Sequence, residues 1–412
     1  MPKDKETSKY GGNELEYLKQ ALKADTGIEN PVHWNKRLEK MFAERFGVKY
    51  AIAHNSGTSA LHSCLWAAGV GPGDEVISPA ITVIMNTLTT LHQNAVPVYV
   101  DVDPETFNMD IKDLERKITP RTKAIFAVSM YGLPVDMDPV MELAKKHNIV
   151  VIEDNAECYL GEYRGRLAGT IGDMSIFSFE SSKHLSVGEG GIAITNNEEY
   201  ARKIRKCGGI GYKAVRADGD PVTTDRSFLQ SPDYKRHDAI GWNYRLSEFG
   251  AAIAVAQLEQ LDEKVKKRRE IAKYYAEAIK DCSWMIPQKV PEGYVNSYWT
   301  YVVRYEGEKE IGVSWKDFYN TYKEMGGDGF YGAFSVPYLE PLMTERKWHK
   351  KGCPVECPHY QGPRIEYKEG LCPVAESIQP KLMQFKTDYR DLDLAQRKAE
   401  VLKATIEKLS KK

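Results

Sequence analysis

The stretch "NIVVIEDNAE", Asn148 to Glu157, sets Ile149, Val150, Val151 and Ile152 in a row and then ends at once in acids, at Glu153, Asp154 and Glu157. An unbroken, β-branched apolar run of this length marks a strand covered on both faces, as strands of parallel sheets are. Ahead of it, "VMELAKKHN" carries a helical pattern. The same strand signature returns in "DEVISPA", "VPVYVDVD", "TKAIFAVS", "MSIFSFE" and "GGIAITN", all between residues 50 and 200, with helical patterns between several of them. This alternation predicts an α/β domain whose mostly parallel sheet is flanked by helices. In such sheets ligands gather at the carboxyl ends of the strands, which is where Asp154 stands.

A chain of 412 residues is long enough for one large domain and a smaller companion. The expected division is a large α/β domain over residues 1–262, with an N-terminal helical segment, and a small α+β domain over residues 263–412. In the second, "SYWTYVVRY" alternates like an antiparallel strand and "LAQRKAEVLKATIEKL" is amphipathic. The charged run Lys266 to Arg269, in "KKRREIAKYYAEAIKD", is read as a solvated helix face. The polar segment from Gly208 to Ile240 is longer than a connection needs and is read either as a binding loop or as unstructured chain.

With 57 basic residues against 58 acidic ones, the net charge of −1 gives no global field to draw in nucleic acid or anionic membrane. A compact substrate is the expectation. The amino terminus, "MPKDKETSKYGG", is polar, and no stretch reaches the length of a membrane span, so a cytoplasmic protein is predicted. Seven sparse cysteines fit reduced thiols. Cys353, Cys357 and His359 fall close together in "CPVECPHY", but without standard zinc spacing, so no metal is expected there.

Three windows carry chemistry. In "SFESSKHLSVGEGG", Lys183 lies between Ser182 and His184, with Gly188, Gly190 and Gly191 close behind. A lysine among glycines, where backbone amides approach an anion closely, suits a Schiff base with a phosphate-bearing aldehyde, a description that pyridoxal phosphate fits. Asp154 is a carboxylate placed to hold a protonated pyridine nitrogen, or an ordinary polar strand end. In "HNSGTSALHS", the turn Asn55-Ser56-Gly57 opens a helix whose free amides, with Thr58 and Ser59, offer either a phosphate site or a simple cap.

Taken in order, these windows resemble the DegT/DnrJ/EryC1/StrS sugar aminotransferases, of the aspartate-aminotransferase fold type (fold type I of the pyridoxal-phosphate-dependent transferases). The resemblance extends through "YGLPVDMDPVMELAKKHN", "YRGRLAGTIGDMSIFSFESSKHLSVGEGG" and "GWNYRLSEFGAAIAVAQLEQLD" to "CPVAE". It implies pyridoxal 5'-phosphate as cofactor, with pyridoxamine 5'-phosphate as its intermediate form. By it Lys183 is the anchoring lysine and Asp154 the partner of the ring nitrogen, with Gly57, Thr58, Ser59 and Ser178 around the phosphate. Asn243 would reach the phosphate of a neighbouring subunit in a homodimer with shared sites. The implied activity is transfer of an amino group from an amino acid, L-glutamate, to a nucleotide-linked keto sugar.

Two positions depart from the family pattern. Val83 replaces the usual ring-stacking aromatic, and Glu157 stands where glutamine or histidine is common. Glu157 is read either as a protonated donor to the cofactor or as a bystander, in solvent or paired with a base such as Arg164. The rival activities are a pyridoxamine-dependent sugar dehydratase, whose relatives carry histidine where Lys183 stands, and a catalytically silent regulatory homologue. A nicotinamide oxidoreductase is disfavoured because no G-x-G-x-x-G follows an early strand.

Overall fold

In a computed structural model, which describes residues 9–25, 33–220, 227, 230–348 and 350–411, all six predicted strands join one sheet. Its strands are β1 (Tyr50–His54), β2 (Glu75–Pro79), β3 (Val96–Val100), β4 (Thr122–Val128), β5 (Val150–Asp154), β8 (Met174–Ser178) and β9 (Gly191–Thr195). Two short strands, β6 (Glu162–Tyr163) and β7 (Arg166–Leu167), form a hairpin outside it. The order is β1-β9-β8-β5-β4-β2-β3, parallel from β8 through β3, with β9 reversed. Strand β1, "YAIAH", is an edge strand between polar ends, and no apolar run marks it in the sequence.

Parallel pairing needs crossovers, and helices such as Gly57–Ala67 and Met137–His147 supply them, one on each face. Small residues let most of Gly57–Ala67 sink into the core, with Ala60, Cys64 and Leu65 inaccessible and Thr58 and Trp66 half-buried. All five parallel strands end on one side of the sheet, and β5 ends there in a division of labour. Successive side chains of a strand point to opposite faces. Glu153 turns one way and accepts the amides of Gly169, Ile171 and Gly172 at 2.6–2.7 Å, which pins the loop before β8. Asp154 turns the other way, into the site.

Beyond residue 262 a four-stranded antiparallel sheet forms from β10 (Met285–Pro287), β12 (Thr300–Tyr305), β13 (Tyr331–Gly332) and β14 (Leu382–Lys386), while β11 (Tyr294–Val295) joins β6. The helices Leu261–Ile279 and Leu392–Leu409 pack together over a core that includes Tyr275, Val303, Phe318 and Leu402. Not all of residues 263–412 belongs to this core. The segment from Val336 to Ile378 returns to the large sheet's edge, where Tyr367 donates to the Pro97 carbonyl at 2.8 Å and the Val374 and Ala375 amides bind the Asp101 carboxylate.

The reading of Lys266 to Arg269 as a solvated face is corrected. The helix Leu261–Ile279 buries Leu261, Val265, Arg268, Ala272 and Tyr275, a stripe at spacings of three and four that carries Arg268 inward, and only Lys266 of the four cations is fully exposed. Arg269, half-buried, donates to the carbonyls of Asn296 and Leu160. The segment from Gly208 to Ile240 lies partly outside the described residues; its described ends hold to each other through the Lys213 amide and the Arg236 carbonyl, and Asp238 pairs with Lys206, just before the segment. Cys353 and Cys357 sit in a packed loop with Val355. Among the described residues no three metal-ligating side chains converge, and no helix is long and apolar enough to cross a membrane.

Candidate active site

Ser178 ends β8, and the turn that follows brings Lys183 back over the carboxyl end of β5, closed by the Lys183 amide on the Glu180 carbonyl at 3.1 Å. The Lys183 side chain is only 11% exposed. Its Nζ lies 3.2 Å from Glu157 Oε1 and 4.1 Å from the centroid of the Trp299 ring. Trp299 is fixed in turn, its indole N–H donating to the Ser182 carbonyl at 3.1 Å. An aromatic thus faces the lysine from the small-domain side, a contact worth about 0.5–2 kcal/mol to an ammonium.

Asp154 is buried and accepts from Asn86 Nδ2 at 3.0 Å and from the Ala156 amide at 3.1 Å. Burial pushes its carboxyl up from the ordinary value, while Asn86, Ala156 and the Lys183 charge pull it down. Asn86 is held by Thr82 at 2.8 Å, so the loop that carries Val83 orients the partner of Asp154. Val83 itself is half-buried. Glu157 is also raised by burial, against Lys183 and the Tyr131 amide, which donates to Oε2 at 3.1 Å. The alternative pairing of Glu157 with Arg164 is overturned, since Arg164 binds Asp138 at 2.9 Å.

At the start of the helix Gly57–Ala67, Ser56 and Ser59 form a reciprocal capping box. The cap read from the sequence is present, and it leaves the amides of Gly57 and Thr58 without an acceptor among the described residues. The Ser59 hydroxyl is turned to Asn55 and the Ser56 carbonyl, so its contribution is to shape this turn. A side chain at Gly57 would meet Ser178 Cβ at 2.9 Å, and one at Gly191 would meet the Ser56 carbonyl and the Gly57 nitrogen at 2.6 Å. Gly57, Thr58 and Ser178 are thereby gathered into one cradle. Asn243 is exposed, and its carbonyl accepts from Asn55 Nδ2 at 3.4 Å beside this turn.

Open amides at a helix start, a buried carboxylate and a sheltered amine are the donor set that a phosphate-bearing pyridine aldehyde needs. Tyr131, whose amide donates to Glu157 beside Lys183, also has a buried hydroxyl without a partner among the described residues. The residues present fit pyridoxal phosphate.

The chain matches the DegT/DnrJ/EryC1/StrS aminotransferase family over residues 9–351. It belongs to that family. It is 39% identical over 298 residues to the GDP-perosamine synthase of Caulobacter vibrioides, covering 71% of this chain and 74% of that one. It is 34% identical over 316 residues to the spore coat polysaccharide biosynthesis protein SpsC of Bacillus subtilis, covering 77% and 79%. Among solved structures, the aminotransferase from Psychrobacter cryohalolentis superposes with a TM-score of 0.83 at 25% identity, over 99% of this chain and 100% of that one. This aminotransferase family member carries several site groups that its sequence does not announce. Asn86, Tyr131, Trp299 and Arg268 lie far along the chain from the residues they serve, and only Trp299, an aromatic in a strand flank, offered any signal.

Proposed function

We propose that the protein transfers an amino group from L-glutamate to a keto sugar linked to a nucleotide, using pyridoxal 5'-phosphate. When bound, the cofactor supplies an electron-withdrawing ring and a carbon that stores the amino group, as pyridoxamine 5'-phosphate, between the two substrates. Lys183 Nζ is the group that would anchor it; once released, Nζ takes the proton from the donor α-carbon, and it returns one to the acceptor carbon in the second half of the cycle. Glu157 steadies that nitrogen, itself oriented by the Tyr131 amide. Asp154, with Asn86 behind it, holds the proton of the ring nitrogen.

The phosphate is assigned to the cradle of Gly57, Thr58 and Ser178, with Ser59 shaping the turn, and Val83 to the ring face. Asn243, exposed beside the cradle, is assigned to the phosphate of a second copy, which makes the working unit a homodimer. The observation that carries the reading is the sheltered Lys183 amine, 3.2 Å from Glu157, over the strand end where Asp154 lies buried. Lysine at this position favours amino transfer over dehydration. Purified protein given pyridoxal phosphate should absorb in the visible, lose the band with L-glutamate and regain it with a nucleotide-linked keto sugar. Lys183→Ala protein that cycled at the native rate would overturn the assignment.

A further inference from the structure

Between the start of the helix Leu261–Ile279, the loop after β14 and the N-terminal segment lies a pocket of about 290 Å³ that reaches Lys183. Its walls carry Lys9, Lys264, Lys267, Arg268 and Arg390 beside Lys183, against two carboxylates, Glu263 and Asp388. Those carboxylates are already engaged, Glu263 with Lys267 at 3.4 Å and Asp388 with Lys386 at 3.9 Å. Glu14, behind the wall, accepts from the side chains of Gln257 and Gln260.

Arg268 is 6% exposed, and the groups it donates to are neutral: the Trp299 carbonyl at 2.7 Å, Thr387 Oγ1 at 2.9 Å and the Ser182 carbonyl at 3.1 Å. Lys264 is turned to the Gln257 side-chain oxygen. No carboxylate among the described residues forms an ion pair with either cation. A desolvated charge without a directly paired carboxylate is costly, and an anion entering the pocket reduces that cost. The same burial lowers Lys264 to about 8 and Arg268 to about 10, against the opposing pull of the Glu14 carboxylate on Lys264 and of the Asp388 carboxylate on Arg268.

The volume lies at the small end of ligand pockets, which run from about 300 to 1,000 Å³. It suits an amino acid better than a sugar nucleotide. We propose that this pocket takes the side-chain carboxylate of the amino donor, with Lys264 and Arg268 as the groups that select an acidic amino acid over its amide. The proposal rests on the amino-transfer reading, because Lys183 in its wall is the residue that reading places at the donor α-carbon. Arg268 serves both tasks: its guanidinium fixes the Ser182 and Trp299 carbonyls that flank Lys183, and its remaining positive field faces the pocket.

The test has two arms. In the first, the cofactor-loaded enzyme is reacted with L-glutamate or L-glutamine alone, and kcat/KM for the half-reaction is compared. L-glutamate should be preferred at least tenfold, Lys264→Met should cut that ratio about tenfold, and Lys264→Arg should restore it. In the second, calorimetry measures binding of glutarate, a dicarboxylate with no amino group to react, to the full chain. Its affinity should fall about tenfold in Lys264→Met and in Arg268→Met, with thermal unfolding followed to confirm that each variant folds. An unchanged glutamate-to-glutamine ratio, glutarate affinity equal to the native value, or a defect confined to the keto-sugar half-reaction would each overturn the donor assignment. If wild-type protein reacts with neither amino acid, the amino-transfer reading fails, and the glutarate arm still judges the pocket.

Discussion

Lys183 Nζ and Glu157 Oε1 stand 3.2 Å apart with both side chains almost wholly out of water, at 11% and 7% exposure. An ion pair so sheltered has little solvent screening, and removing one partner leaves the other charge exposed to the full cost of burial. Glu157 also has a second tie, the Tyr131 amide, so it is fixed at both oxygens. Tyr131 adopts a positive φ of 61° to present that amide, a conformation uncommon for a bulky residue.

Replacing Glu157 with Gln keeps the acceptor for Lys183 and removes the ionisable group. We expect Glu157→Gln to retain activity within about tenfold, and to lose the acid limb of the rate profile that Glu157 titration contributes. Glu157→Ala should fall much further, because it strips the lysine of its partner and leaves the Tyr131 amide unpaired. Steady-state rates across pH 5 to 9 for both variants decide the matter; a native profile in Glu157→Gln would make Glu157 a bystander.

Asp154→Asn should fold and lose roughly 10²- to 10⁴-fold in the proton-transfer step, since an amide cannot hold a pyridinium charge. Asn86→Ala separates orientation from charge. It leaves the Asp154 carboxylate in place without its 3.0 Å donor and should cost about tenfold. Single-turnover rates with L-glutamate measure both, and equal losses in the two variants would show that Asn86 acts by something other than orienting Asp154.

What the sequence disclosed, and what it hid, follows from range. Asp154 and Ser178 end apolar runs, and Lys183 follows a strand by five residues, so local pattern places all three at one side of the sheet. Asn86 reaches Asp154 across 68 residues and Trp299 reaches Ser182 across 117, and no local spacing encodes such contacts. Arg268 hid for another reason. In "KKRRE" every neighbour is charged, and only the docking of its helix against two cores, Val265 on one and Tyr275 on the other, shows which of the cations turns inward. Edge strand β1 was silent because its ends are polar.

The cradle is a backbone device and should be sensitive to a single methyl. At Gly191 an added Cβ meets the Ser56 carbonyl and the Gly57 nitrogen at 2.6 Å, both main-chain atoms that no rotamer change moves. Gly191→Ala should cost about 1–3 kcal/mol of stability, and should weaken retention of pyridoxal phosphate by shifting the helix start. Gly188, with φ of 91° and open space around it, serves as a contrast: Gly188→Ala carries strain but no collision, so it should spare cofactor affinity. Equilibrium denaturation and cofactor titration read the two effects separately.

If the site is shared between subunits, Asn243→Ala and Lys183→Ala proteins, each impaired alone, should regain activity when mixed and allowed to exchange. One class of mixed site then carries both defects and the other neither, which limits recovery to about one quarter of native activity for random pairing of equally stable subunits. Absence of recovery after exchange has been shown by a labelled subunit would count against a trans role for Asn243.

Two buried histidines give the fold an acid limit. His54 is lowered to about 4 by burial; its Nδ1 faces the Ile52 carbonyl and its Nε2 the Ser63 hydroxyl, so the neutral ring is fully satisfied. His62, also buried, is lowered to about 4, with His92 adding to the effect. In the unfolded chain both rings bind protons below about 6.5. The folded state refuses them until about 4, so stability is present above 6.5 and is lost as pH falls, by at most about 1.4 kcal/mol per pH unit for each ring. Asp154 and Glu157, raised by burial, work in the opposite sense, since the folded state takes up their protons first. The histidine share is isolated by variants: His54→Gln will be less stable at pH 7, but the fall in its unfolding free energy between pH 6.5 and 5 should be shallower than that of wild type. A parallel pair of curves would remove His54 from the acid limit.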